Sequence, residues 1–429
     1  MLVQFSFGNF KCFRRETTLN FVASRTKGYE YYSHQTPFKY SLLRSLVVLG
    51  PNASGKTKLF DAIKFMCDVV CPPNRYKNIP AYDYWQSTYD SFRLNTQASK
   101  DDSFFEAVFI LDNIQYRYGF NLNKSKILSE WLYAKASREA LVFCRDSDGI
   151  TIKGKYINEK VFDTIKSAKM IADPVLLLSV LGTFNDPLSL KIVNFFKSIT
   201  VLSANDLKPI SVLNQDDAKK SIVSFLRSFD INIEDINLHE MEEDEIPDKI
   251  KALLKSSKSG RLYDGINTTH KVYNDLYEYS DTTTFSLEND ESFGTNRLLS
   301  LSWPIIKSLR EGSILFIDEI DSGIHTNIVK AIIMLFYMTK SKAQLICNTQ
   351  NTSLLNSEIP DNGKKLFRKD QIYLVNKNRY GESELLPVTT FKNDLRSNLE
   401  NIYLNGELTG VPYVQLVNLL NLIENSCNE

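Results

Sequence analysis

The sequence predicts an α/β protein whose mixed core is interrupted by an antiparallel β layer and a helical lobe, and three observations predict it. The apolar run Ser45–Leu49 leads straight into a glycine-rich loop and an amphipathic helix. Runs of aromatic and β-branched residues then fill 104–144 at strand length. Past Glu291, helices and apolar strands alternate again.

Taken in order, 2–7 and 17–23 read as two short strands bracketing a turn, and Lys56 to Val70 as a helix. The runs 104–111, 115–121, 127–135 and 140–144 read as antiparallel strands, with Asp112-Asn113 as a hairpin turn. Helical periodicity covers 158–198 and 215–228. The acidic run Glu240–Asp248 and the basic segment Lys249–Arg261 read as a solvated lobe or insertion. A long helix after Glu291, strand Ser313–Ile317, a helix, strand Ala343–Cys347 and a last strand Gln371–Val375 follow. The stretch Tyr413–Ile423 has the spacing of a core helix. Three regions are expected: an N-terminal lobe over 1–150, a helical lobe over 151–290 and a C-terminal lobe over 291–429.

The 429 residues carry 43% apolar side chains, enough for a sizeable core. Lys plus Arg (51) equal Asp plus Glu (51), so charge gives nucleic-acid binding no support. No apolar run approaches the ~20 residues of a membrane span, and the start has no signal-peptide pattern. The six cysteines form no CxxC pair and read as buried free thiols. A cytoplasmic protein without a membrane segment is expected.

Residues 50–57 read Gly50-Pro51-Asn52-Ala53-Ser54-Gly55-Lys56-Thr57, the P-loop pattern GxxxxGK[ST]. The glycines permit a backbone that aims N–H groups inward, and the helix start adds a positive dipole end. Lys56 can neutralise β- and γ-phosphate charge, and the Thr57 hydroxyl can ligate Mg2+. The strand Ile314-Leu315-Phe316-Ile317 ends in Asp318 and Glu319. Asp318 is placed to hold the magnesium, and Glu319 to polarise the water that attacks the γ-phosphate of ATP.

Residues 291–301, ESFGTNRLLSL, resemble the signature of ABC-type ATPases, and Asp321 to His325 resembles the D-loop that follows the two acids. The resemblance assigns Ser292 and Gly294 to the γ-phosphate held by a second subunit. It also specifies the fold as an ABC-type P-loop ATPase core with an inserted antiparallel β layer and a helical lobe. NFKCF (9–13), YRYGF (116–120), SEWLY (129–133) and YLNGELTGVPYV (403–414) resemble the bacterial AAA/ABC ATPases that include RloA-like, AbiL-like and PARIS-type defence proteins. That resemblance implies a homodimer or higher homo-oligomer. It also implies a sensor or scaffold role beside a separate, nuclease-like effector related to the TOPRIM fold. The alternative is an SMC-like DNA-repair or DNA-end-binding head, although no sustained heptads appear.

The chain departs from the family where Thr-Thr-His is expected: Gln350 occupies the histidine's place. Glutamine donates a hydrogen bond but carries no positive charge, so slow hydrolysis is expected. The Q-loop is expected near Leu181–Asn185, where no Gln occurs. A fused nuclease would need a D-x-D cluster, and none follows Glu319. The basic cluster Lys364-Lys365 with Arg368-Lys369 reads as a solvated turn, or as a contact for nucleic acid or an acidic partner.

Overall fold

A computed structural model describes residues 1–25, 30–71, 85, 88–203, 210–240, 263–360, 363–391 and 398–411. The expected core helix Tyr413–Ile423 and nearly all of the charged run 240–261 lie outside the described residues.

Two sheets face each other across one helix. The core sheet has six strands in the order Thr200–Leu202, Ile314–Ile317, Gln344–Asn348, Ser45–Leu49, Ile372–Lys377 and Ser383–Pro387. All its pairings are parallel except the last. Its central strands are buried on both faces, as their continuous apolar runs require. Along Ser45–Leu49, Leu46 and Val48 enter the cluster facing the second sheet, whereas Val47 and Leu49 enter the opposite cluster. Ile314 and Phe316 against Leu315 and Ile317 repeat that period-two alternation.

The second sheet is a seven-stranded antiparallel layer in the order Gly149–Ile152, Glu139–Asp146, Ile127–Lys135, Ile114–Leu122, Ser103–Leu111, Leu2–Gly8 and Thr17–Asn20. The N-terminal strands thus join the inserted ones. Asp112 (φ 44°) and Asn113 (φ 64°) make the tight turn between two of its strands. Helix Lys56–Val70 lies between the layers: Phe65 packs 5.2 Å from Phe105 on one side, and Phe60 packs 5.4 Å from Phe316 on the other. Buried Gln344 staples the sheets together, accepting from Leu2 N–H at 2.7 Å and donating to Leu2 O at 3.0 Å.

Two expectations are corrected. Gln371–Val375 is not the last strand, because Ser383–Pro387 follows and pairs antiparallel at the sheet edge. The 151–290 region is helical only in part, with helices Glu159–Ser167, Leu177–Thr183, Pro187–Ser198, Ile210–Leu213 and Asp216–Arg227. It also supplies strand Thr200–Leu202 to the core and an antiparallel sheet of Asp235–Glu240, Tyr263–Tyr273 and Tyr279–Ser286. Helices Phe293–Glu311 and Thr326–Met338 cover the outer face of the core sheet. Among the described residues the cysteines are free, and no helix is long and apolar enough to cross a membrane.

One buried group gives the fold a pH dependence. His34 is 6% exposed, and its Nε2 donates to the Ala343 carbonyl at 2.9 Å. Burial pushes its pKa down from 6.5 to about 4, helped by nearby Arg44 and Lys342 and opposed by that hydrogen bond. The unfolded chain therefore binds the extra proton first, so this contribution is full above pH 6.5 and is lost as pH falls towards 4. His34→Gln, which keeps a donor for Ala343, is expected to be less acid-sensitive than wild type. The expected difference in urea unfolding free energy between pH 7 and pH 5 is on the order of 2 kcal/mol. Identical pH slopes for the two proteins would refute it.

Candidate nucleotide-binding and active site

The loop after Ser45–Leu49 is shaped by what its glycines exclude. A Cβ on Gly50 would lie 2.4 Å from the Val375 carbonyl oxygen. Gly55 has φ +115°, and a Cβ there would lie 2.8 Å from both Cys12 Sγ and Ser383 Oγ. The Ser383 hydroxyl donates to Ser54 O at 2.5 Å and the Ser383 N–H to Cys12 O at 2.8 Å, wedging the loop between the N-terminal turn and the last strand. Ser54 Oγ is buried without a hydrogen-bond partner among the described residues.

Lys56 opens the helix, buried, with Nζ donating to Gly50 O at 2.7 Å and Pro51 O at 3.0 Å. Burial lowers its pKa, against the pull of Glu319, Asp318 and Asp321. Thr57 Oγ1 donates to Asp318 Oδ1 at 3.2 Å, so the two expected magnesium ligands are adjacent. Asp318 is itself buried at the end of its strand. Glu319 follows at φ 51°, a left-handed conformation that costs a non-glycine residue about 1–2 kcal/mol.

These groups open onto a cavity of about 960 Å³ whose lining includes Asn52–Lys58, Glu319 and Gln350. Its charged lining residues are Lys11, Lys56, Lys58, Arg93 and Lys377 against Asp90 and Glu319, an excess of cations suited to a polyphosphate. The glycine cradle and the orphaned Ser54 hydroxyl fit a phosphate group. No cluster of three His, Cys, Asp or Glu able to hold an ion occurs among the described residues. Thr57 and Asp318 instead offer two hard oxygens, a set that suits Mg2+ arriving with phosphates and waters.

Ser292 caps the helix Phe293–Glu311, accepting from Thr295 N–H at 3.1 Å. Gly294 is pressed against the D-loop: a Cβ there would lie 2.7 Å from Gly323 O. Gly323 in turn (φ +69°) sits under the Phe293 ring, 2.3 Å from where its own Cβ would be. The segments expected to be signature and D-loop therefore pack directly against each other. His325 caps the next helix through Nδ1, which accepts from Asn327 N–H at 3.2 Å. Ser292 and Gly294 do not line the cavity that holds Lys56, Glu319 and Gln350, and neither does any residue of the expected Q-loop, Leu181–Asn185.

Sequence reasoning missed three participants. Buried Arg297, one turn into the signature helix, donates Nη2 to Asp318 O at 2.8 Å and Nη1 to Ser203 O at 3.2 Å, tying that helix to the acid-bearing strand. Asn348 bonds the acid turn from the neighbouring strand. Glu291, next to Ser292, accepts from Thr268 Oγ1 at 2.6 Å and lies 2.7 Å from His270 Nε2. The slight signal in the sequence was Arg297 standing among the apolar positions of an amphipathic helix. The solvated-turn reading of the basic cluster fails at Arg368, which is buried and paired with Asp370 at 2.6 Å.

Fold and site together define a P-loop ATPase of the AAA type. The family model described as "AAA domain, putative AbiEii toxin, Type IV TA system" matches residues 45–356, and the chain belongs to that family. No match is found among curated proteins. Among solved structures, the SMC head domain from Thermotoga maritima is similar at 15% identity and TM-score 0.37, covering 90% of this chain and 98% of its own. The Smc head bound to the C-winged helix domain of ScpA is similar at 13% identity and TM-score 0.42, covering 90% and 96%. The Smc head with an extended coiled coil bound to the C-terminal domain of ScpA, derived from Pyrococcus furiosus, is similar at 13% and 0.41, covering 90% and 95%.

Proposed function

We propose that the chain is an ATP-driven switch: it binds ATP·Mg2+, closes head-to-tail into a dimer around the nucleotide and hydrolyses it slowly. The observation that carries this reading is the separation of the two half-sites. Ser292 and Gly294 sit on closely packed segments, the expected signature and D-loop, that do not line the chain's own P-loop cavity. Signature contacts to a γ-phosphate would then come from a second copy, so dimer stability follows nucleotide state.

In this reading Lys56 and the loop N–H groups of Gly50–Thr57 hold the phosphates. Thr57 and Asp318 hold the magnesium, which shields phosphate charge when bound. Glu319 orients and polarises the attacking water. Gln350, on the cavity wall, donates a hydrogen bond where a histidine could also bring charge, which favours slow turnover. The family resemblance extends the proposal to a sensor or scaffold subunit of an anti-phage, abortive-infection type system that controls a separate effector.

Light scattering coupled to size exclusion on Glu319→Gln protein tests the switch. A larger species is expected with ATP and magnesium, and it should vanish in Lys56→Ala and in Ser292→Arg. An unchanged mass with ATP would remove the nucleotide-gated dimer.

A further inference from the structure

The chain makes the same turn twice, with opposite charge. Asn378 opens the turn between strands Ile372–Lys377 and Ser383–Pro387. Its N–H donates to Glu382 O at 2.9 Å, its carbonyl accepts from Gly381 N–H at 3.0 Å, and its Oδ1 accepts from Tyr380 and Glu382 N–H. Asn274, between strands Tyr263–Tyr273 and Tyr279–Ser286, repeats all four bonds with Glu278, Tyr277, Leu276 and Glu278 again. Each turn needs a left-handed residue at its fourth position. Gly381 at φ 78° adopts that conformation freely, whereas Tyr277 at φ 60° is strained. Tyr277 is 90% exposed, so packing within the chain does not offset the strain.

It has company. Val272, Tyr273, Leu276, Tyr279 and Phe285 stand exposed on the same hairpin, Leu276 at 76%. A contiguous apolar surface of this kind marks an interaction site. Lys271 is paired with Glu234 at 3.1 Å, so the charge at the turn is that of exposed Asp275, Glu278 and Asp281. Such a tip repels phosphate backbones and suits a basic, apolar surface.

The rim of the P-loop cavity is a surface of that kind. Leu94, 72% exposed, lies over Gly381, where a Cβ would meet its Cδ1 at 2.4 Å, and neighbouring Tyr380 is 60% exposed. Lys377 and Arg379 are exposed beside them, whereas Glu382 is paired with Arg14 at 2.8 Å. The hairpin is also tied to the segment that would face this rim in a head-to-tail pair. Thr268 and His270, on its first strand, hold Glu291, the residue before Ser292. From His270 to Asn274 the strand carries the tip about 13 Å further out.

We propose that the hairpin tip of one copy docks on the cavity rim of a second copy. Leu276 and Tyr277 pack on Leu94 and Tyr380, and Asp275 and Glu278 face Lys377 and Arg379. This rests on the head-to-tail reading above and adds to it a contact outside the nucleotide.

Sedimentation equilibrium of the full chain in the Glu319→Gln background, with ATP and magnesium, tests it. Tyr277→Gly is expected to raise the dimer dissociation constant at least 30-fold, since the contact occurs twice per dimer. It should leave ATP affinity within threefold and the melting temperature of the nucleotide-free chain unchanged or higher, because glycine relieves the turn. Glu278→Lys and Arg379→Glu should each weaken the dimer at least tenfold, and together return it to within threefold of the background. Arg379→Glu carries the test from the opposite surface if a hairpin variant does not fold.

A background protein that stays monomeric with ATP would sink the head-to-tail reading and this one together. A normal ATP-dependent dimer that the folded hairpin and rim variants leave intact would sink this one alone. Weakening without recovery in the charge exchange would place the tip on another surface and overturn the proposal.

Discussion

Lys56→Met is expected to weaken ATP binding at least 100-fold while moving the melting temperature of the nucleotide-free protein by no more than a few degrees. The two halves of that expectation have separate causes. A charge-assisted hydrogen bond contributes about 1.5–3 kcal/mol, and Lys56 is positioned to serve two phosphates, so a loss near 3 kcal/mol, or about 100-fold, is the lower bound. Without nucleotide, the ammonium is buried and answered only by the Gly50 and Pro51 carbonyls and by carboxylates further away. Burial lowers its pKa, which means the folded chain gains little from holding that charge. Methionine matches the stem, removes the desolvation cost and forfeits the two carbonyl bonds, so the terms oppose each other. Scanning calorimetry with and without saturating ATP·Mg2+ checks both halves. Wild type should melt higher with nucleotide and the variant should not. A variant that still gains stability from ATP would show that the lysine does not hold the phosphates.

The core was legible wherever burial wrote a pattern into the sequence. Residues 46–49 and Ile314–Ile317 are apolar without interruption because helices or a second sheet cover both faces. The loop at 50–57 was legible because its glycine geometry admits few other residues. Hidden strands were hidden for physical reasons. Thr200–Leu202 is three residues long and only half-buried at the sheet edge, so it carries too little pattern to stand out from the helix before it. Tyr279–Ser286 is exposed along most of its length, which leaves threonines rather than an apolar alternation. Arg297 and Asn348 were illegible for a different reason: each bonds groups of residues distant in sequence, and side-chain identity alone does not say which carbonyl or carboxylate will be near. The expected Q-loop, Leu181–Asn185, contains no glutamine and does not line the cavity.

Gly294→Ala is expected to abolish ATP-dependent assembly while leaving the affinity of the isolated chain for ATP within about threefold of wild type. The added methyl would start 2.7 Å from Gly323 O, closer than real contacts allow, and that oxygen belongs to backbone held under the Phe293 ring. Signature and D-loop must then part, and the surface offered to a second copy changes shape. The P-loop, lined by other elements, is untouched. Neither Gly294→Ala nor Lys56→Met should form the larger species alone. An equimolar mixture should recover it in part, together with some hydrolysis, because the two lesions fall on opposite sides of a shared site. One pairing in the mixed dimer joins the intact P-loop of the Gly294→Ala chain to the intact signature of the Lys56→Met chain. Recovery by mixing is hard to obtain if the signature serves its own chain, since each chain would then carry a complete lesion. A mixture as inert as its components, with both variants folded, would therefore argue that assembly is set by something other than nucleotide trapped between two copies.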